Sequence, residues 1–228
     1  MKLYDLCVKV ENLKETIDIA KKLGWDGLGL IIPYSVNYMK ELGALKDSVK
    51  SLKSGIDLGF GIEINTKDPR DVRKIAKAIR RDVELVVVRG GTPEVNRTAL
   101  ETLEVDILTH NDGDMKINHV LAKLAAKNNV AIGFVFSNIL LSYKRTRISL
   151  FSDMITNAKV LKKYRSPFII SSGSLSAWDL RSPSDLLAFG KLLGFQENQV
   201  NHAMSDVILR ENRKRLGKKW VMPGVEIE

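Results

Sequence analysis

The amino-acid sequence predicts an α/β fold, a TIM-type (β/α) barrel of seven regular strands with extra helices at its C-terminal end. Three observations carry this. Seven short apolar runs alternate with amphipathic stretches, each apolar run leads into a helical pattern, and the repeats are evenly packed along 228 residues. Repeated βα units impose a parallel sheet with right-handed crossovers. Even spacing over this length favours a closed barrel above an open doubly wound sheet.

The strands are expected at 3–8, 27–32, 57–64, 84–88, 106–108, 130–136 and 167–171, all short and rich in Val, Ile and Leu. Between them, apolar residues recur at helical spacing: Leu13, Ile17, Ala20 and Leu23; Val72, Ile75, Ala76 and Ile79; Val120, Leu121, Leu124 and Ala125; Met154, Ile155, Ala158 and Leu161. Asp68-Pro69, Thr92-Pro93 and Ser182-Pro183 each set a capping side chain before a proline whose missing N–H costs nothing in the first helical turn. Asn118 is placed to cap a further helix, and Leu23-Gly24 reads as a helix stop. Beyond Ser171 the chain turns helical at 184–193 and 196–216, and Val221 to Val225 is too short and proline-broken for an eighth strand. No linker or low-complexity stretch divides the chain, so it reads as a single domain, 1–228, with a basic helix at about 196–216 and a short tail, 217–228.

Hydrophobic content of 44% and charged content of 28% describe a globular chain, and the net charge of +9 suits an acidic partner. The charge is concentrated. Residues 140–166 hold seven Lys/Arg against Asp153, and 209–220 hold six against Glu211, so these two zones carry +11 and the remainder sums to −2. Such zones are the footprint expected for a polyanion, although solvated helix faces give the same pattern. A lone cysteine, Cys7, excludes an internal disulfide and fits a reducing cytosol. The N-terminus lacks a signal-peptide pattern, and the longest apolar-rich stretch, 130–141, is too short to span a bilayer.

The most informative stretch runs Val86-Val87-Val88-Arg89-Gly90-Gly91, then Asn96-Arg97, then Val105-Asp106-Ile107-Leu108-Thr109-His110. Two apolar strands end in polar residues, which in a parallel barrel point to the rim where ligands bind. Arg89 followed by two glycines suits bidentate contact with a phosphate; the competing reading is a buried arginine paired with a carboxylate such as Glu63 or Glu101. Arg97 either reaches the same rim or lies on the surface. His110 is a rim donor, a base or a structural hydrogen-bonder. Lys123 projects toward an anion or into solvent. Tyr143-Lys144-Arg145-Thr146-Arg147 reads as a basic loop with an aromatic, fit for backbone neutralisation and stacking. Ser171-Ser172-Gly173-Ser174 offers hydroxyls and amides at the late-strand rim, and Arg181 precedes a helix start. With three histidines and no His-x-His ending the first strand, first-shell metal spacing is missing, which argues against a zinc-dependent hydrolase barrel. No nucleophile elbow is present either. These residues leave three readings open: an RNA-binding subunit, a stand-alone barrel enzyme acting on a phosphorylated small molecule, and a scaffold docking an acidic protein.

In order and spacing the same residues resemble the protein component 3 family of archaeal ribonuclease P, the thirty-kilodalton subunit shared with eukaryotes. The resemblance covers Tyr4-Asp5-Leu6, Lys22-Leu23-Gly24-Trp25-Asp26-Gly27, Gly61-Ile62-Glu63-Ile64, Val88-Arg89-Gly90-Gly91, Asn96-Arg97, Val105-Asp106-Ile107-Leu108 with His110, and Asn118-His119-Val120-Leu121-Ala122-Lys123. It continues through Ser171-Ser172-Gly173, Arg181-Ser182-Pro183-Ser184-Asp185-Leu186 and the basic C-terminal helix, and departs from some relatives at Thr109-His110-Asn111, where a proline more commonly follows the histidine. The resemblance implies a TIM-type barrel related to metal-dependent phosphoesterases but without their metal ligands. It also implies a subunit of an endoribonuclease holoenzyme, a cytoplasmic hydrolase that removes the 5′ leader from precursor tRNA. In this family a catalytic RNA carries the chemistry and uses Mg2+, while the protein alone is not catalytic and binds no cofactor. The implied partners are ribonuclease P RNA, protein component 2, the other holoenzyme proteins and precursor tRNA as substrate, with no membrane. On this reading Arg89, Arg97, His110, Lys123 and Arg181 contact RNA near the rim, and Lys144, Arg145 and Arg147 extend the surface.

Overall fold

Seven parallel strands, paired in sequence order, curl into a nearly closed barrel: β1 (Tyr4–Lys9), β2 (Gly27–Pro33), β3 (Asp57–Asn65), β4 (Leu85–Gly90), β5 (Ile107–His110), β6 (Ala131–Val135) and β7 (Phe168–Ser171). The computed structural model describes residues 1–9, 11–52, 54–110, 116–217, 220–222 and 225–226, with His110 and the segments after residue 217 described in their backbone alone. Around the barrel lie α1 (Leu13–Leu23), α2 (Tyr38–Ser51), α3 (Pro69–Ile79), α4 (Pro93–Glu101), α5 (His119–Asn128), α6 (Phe136–Leu141) and α7 (Lys144–Tyr164). A 3-10 turn, Ala177–Asp179, leads to α8 (Pro183–Leu192), α9 (Glu197–Ala203) and α10 (Val207–Leu216). The capping residues act as the sequence implies. The side chains of Asp68, Thr92 and Ser182 accept backbone N–H bonds ahead of a proline, Asn118 accepts two, and Gly24 ends α1 in the left-handed region at φ 87°.

The period of two along each strand sorts side chains into two layers. One set (Leu28, Leu30, Ile62, Ile64, Val86, Val88, Leu108, Ile132) packs outward beneath the helices. The other (Leu6, Ile31, Leu85, Val87, Ile107, Ala131, Ile169) fills the bore. The bore is narrow, so glycines face it: a Cβ on Gly61 would lie 2.5 Å from Ile31 Cδ1 and 2.7 Å from Leu85 Cβ.

No ladder joins β1 to β7. Side chains close that seam. The buried Asp5 carboxylate accepts from the hydroxyls of Ser171 and Ser172 and from Ser172 N at 3.2 Å, while Cys7 N donates to Ser171 Oγ at 3.2 Å and Lys9 N to Ser174 O at 2.9 Å. At the opposite end of the seam Tyr4 N donates to Met204 O at 2.6 Å and Leu3 forms an antiparallel bridge with Ser205. These contacts correct the expectation of one helix at 196–216: α9 and α10 are separate because Met204 and Ser205 are drawn against β1. The described residues contain no eighth strand in the sheet; Trp220–Met222 and Val225–Glu226 pair antiparallel with each other.

Helix α10 plugs the N-terminal end of the barrel. Leu209 enters the bore, Asn212 bonds Arg80 and Asp106, and Arg213 bonds Asp57 and Glu84. Arg80 in turn grips the buried Asp106, whose carboxyl burial pushes up while the guanidinium pulls it back. Of the second basic zone, Arg213 therefore serves the fold, and Lys214 pairs with Glu211 at 3.2 Å.

Candidate nucleic-acid interface

Extending the inward set of side chains by one step carries each strand from the apolar bore to its C-terminal mouth. Leu85 and Val87 are followed by Arg89, Gly61 by Glu63, Ile107 by Thr109, and Gly133 by Val135. In β1 a bulge between Asp5 and Val8 turns the strand so that Cys7 and Lys9 face inward as well. These residues line a cavity of about 460 Å³ in the mouth, with walls from α6, the start of α7 and the segment after β7.

At the floor of this cavity Lys9 Nζ sits 2.8 Å from Glu63 Oε2. Glu63 pairs with Lys9, and Glu101 with Arg97 and Arg73. Arg89 is half-buried beside Thr109, its register partner. Buried Asn96 supports the turn that follows: its Oδ1 accepts from Gly91 N at 3.1 Å and fills the space where a Cβ on Gly90 would stand. Burial pushes the Cys7 thiol well up, so it is not an activated nucleophile.

The expected basic loop after the sixth strand is instead helical. α6 follows β6 directly, and Lys144, Arg145 and Arg147 occupy the exposed first turn of α7. Arg147 turns back, donating from Nε to Ser142 O at 2.8 Å and from Nη2 to Leu140 O at 3.3 Å, with its guanidinium 5.5 Å from the Tyr143 ring centre. It thereby satisfies the free carbonyls at the end of α6. Since carbonyls carry no net charge, the guanidinium still contributes a full positive charge to this face. Arg181 behaves alike, donating to Leu180 O at 2.9 Å and resting over Phe136, the first residue of α6. Lys144 and Arg145 form no ion pair with a described residue.

Two predicted residues lie off this face. Arg97 pairs with Glu101 one turn along α4 at 2.8 Å, which holds the Glu101 carboxyl below its usual range. Lys123 lies on the outer surface of α5 over the Tyr164 ring. His110 closes β5 at the mouth in register with Gly90, and its side chain lies outside the described residues. Sequence reasoning missed Lys9 and Thr146 as cavity residues and saw Glu63 as a partner for Arg89 and as part of the family resemblance; following the period of two along the strand from Gly61 would have placed Glu63 in the mouth. Among the described residues no three His, Cys, Asp or Glu side chains are grouped to share a metal ion, and no helix is long and apolar enough to cross a membrane.

Known proteins share this fold. Ribonuclease P protein component 3 of Methanosarcina mazei is 33% identical over 234 residues, covering 98% of this chain and 95% of its own length. A chain in the cryo-EM structure of archaeal ribonuclease P with mature tRNA superposes with a TM-score of 0.80 at 26% identity, covering 98% of this chain and 97% of that one. The fold alone is shared with histidinol phosphate phosphatase of Lactococcus lactis, at 13% identity and a TM-score of 0.57, over 85% of this chain and 93% of that one. The family model described as RNase P subunit p30 matches residues 2–216, and the chain belongs to that family.

Proposed function

We propose that this protein is a subunit of ribonuclease P that presents the C-terminal mouth of its barrel to the catalytic RNA and so supports removal of the 5′ leader from precursor tRNA. The observation that carries the RNA-binding face is the gathering of Arg89, at the end of β4, with Lys144, Arg145, Arg147 and Arg181, on the segments that follow β6 and β7, Arg147 and Arg181 being held by carbonyls that leave their charge intact. The RNA performs the chemistry with Mg2+. The protein's share is to lower repulsion between closely packed phosphates, which reduces the magnesium the RNA needs. Protein component 2 and the remaining holoenzyme proteins are the partners in this work, and the cytoplasm is its place. His110 and Arg89 end adjacent strands and act together at the rim, while Arg97 and Lys123 make outlying contacts.

Arg89→Ala and Arg181→Ala test the assignment. Each is expected to lower cleavage by the reconstituted complex at limiting magnesium, to leave the chain folded, and to flatten the logarithmic salt dependence of RNA binding by somewhat under one unit per lost contact. Cleavage and salt dependence unchanged in both variants would remove the RNA from this face.

A further inference from the structure

Neutralising phosphates needs cations on an open surface, yet Lys9 and Arg89 face a cavity of about 460 Å³, a volume within the range of small-ligand sites. Its floor is polar, with the Lys9–Glu63 pair beside Arg89 and Thr109, and these two cations and one acid are the charged groups among the described lining residues. Its lip is apolar: Leu141 is 62% exposed and Leu175 42% exposed, above buried Leu150. A monoanionic phosphate ester joined to a flat aromatic ring matches this pairing of a cationic floor with an aliphatic lip. The shared chemistry is that of a nucleotide, free or within a chain.

The first turn of α7 decides between the sources. Beyond the lip stand Tyr143, 75% exposed, with Lys144 and Arg145, and no acid occurs from the end of β6 until Asp153. A free nucleotide leaves these groups unused. A continuing strand stacks its next base on Tyr143 and sets its next phosphates against the two cations. We infer that the barrel mouth receives one unpaired nucleotide of the RNA, its phosphate toward Lys9 and Arg89 and its base between Leu141 and Leu175. This rests on the RNA-binding reading above and adds to it the form of RNA that is bound.

Thr146 lines the cavity from the exposed turn of α7, so Thr146→Trp fills the mouth without displacing a core residue. Leu175→Trp fills it from the other side, and Leu192→Trp, on exposed α8 outside the cavity, controls for added surface bulk. The full chain, with component 2, is bound to ribonuclease P RNA substituted with 4-thiouridine, irradiated, and the cross-linked peptides are mapped. Wild type and Leu192→Trp are expected to cross-link within residues 137–146 or at Leu175. Both filling variants are expected to lose that cross-link and about tenfold in RNA affinity, the scale of one stacked base. Unchanged affinity and cross-linking in both variants, with cleavage still dependent on the chain, overturns the inference and spares the subunit reading. Binding of free AMP or UMP that Thr146→Trp abolishes, with RNA affinity unchanged, overturns it in favour of a free nucleotide. Failure of the folded wild-type chain to bind the RNA removes the subunit reading itself, and the inference with it.

Discussion

Replacing Arg213 by methionine separates the fold from the proposed RNA surface. The guanidinium donates to Glu84 Oε1 at 2.6 Å, to Asp57 Oδ2 at 2.5 Å, to Asp57 Oδ1 at 3.1 Å and to Leu58 O at 3.0 Å. Methionine keeps most of the stem and leaves two carboxylates facing each other. Removing one member of a fully buried pair costs about 3–5 kcal/mol, whereas exposed pairs contribute below about 1 kcal/mol. Here Arg213 and Asp57 are 35% and 36% exposed and Glu84 17%, so solvent screening brings the expected loss to about 2 kcal/mol. Burial pushes the Asp57 carboxyl up, but the hydrogen bonds from Arg213 and Tyr4 outweigh it and hold it below the usual range. A folded-state pKa below the unfolded one stabilises above the unfolded value, about 3.9 for aspartate, and that stabilisation fades as pH falls through the folded value. Urea denaturation should therefore show the full gap between wild type and Arg213→Met at pH 7, narrowing under acid conditions below the ordinary aspartate range. RNA affinity measured where both chains are folded should be unchanged. A variant of undiminished stability, or one that stays stable while losing RNA affinity, would refute the reasoning and return α10 to the RNA surface.

Asp5→Ala leaves the Ser171 and Ser172 donors of the β1–β7 seam without their acceptor and should cost about 2–4 kcal/mol in denaturant midpoint experiments. Asp5→Asn keeps an acceptor oxygen and should cost less. Burial raises the Asp5 pKa, so the carboxyl's stabilising effect is complete below the unfolded value and is lost as pH rises through the folded one; the advantage of wild type over Asp5→Asn must shrink with rising pH, and a growing advantage contradicts the assignment. Gly61→Ala forces a Cβ against Ile31 and Leu85 and should destabilise by about 1–3 kcal/mol, measurable as a lowered urea midpoint at unchanged slope.

The strands were legible because Leu85 to Val88 and its counterparts are short continuous apolar runs rich in β-branched residues, and the helix starts because a cap followed by proline is local chemistry. The seam was not: Asp5 meets Ser171 and Ser172 only after the barrel has curled through seven strands, and nothing near Asp5 in sequence announces its partners. Nor was the division of the basic zones. Arg213 and Arg145 look alike in sequence, and only packing shows that one is bound by Asp57 and Glu84 while the other faces solvent. Arg147 combines both roles, ending α6 through its hydrogen bonds while its charge stays on the mouth.

Reconstituted cleavage of precursor tRNA tests the central claim most directly. Archaeal ribonuclease P RNA is assayed at low magnesium with protein component 2, with and without this chain. The account predicts cleavage at the mature 5′ end only when both proteins are present. A folded chain that adds nothing to the RNA and component 2 would contradict it.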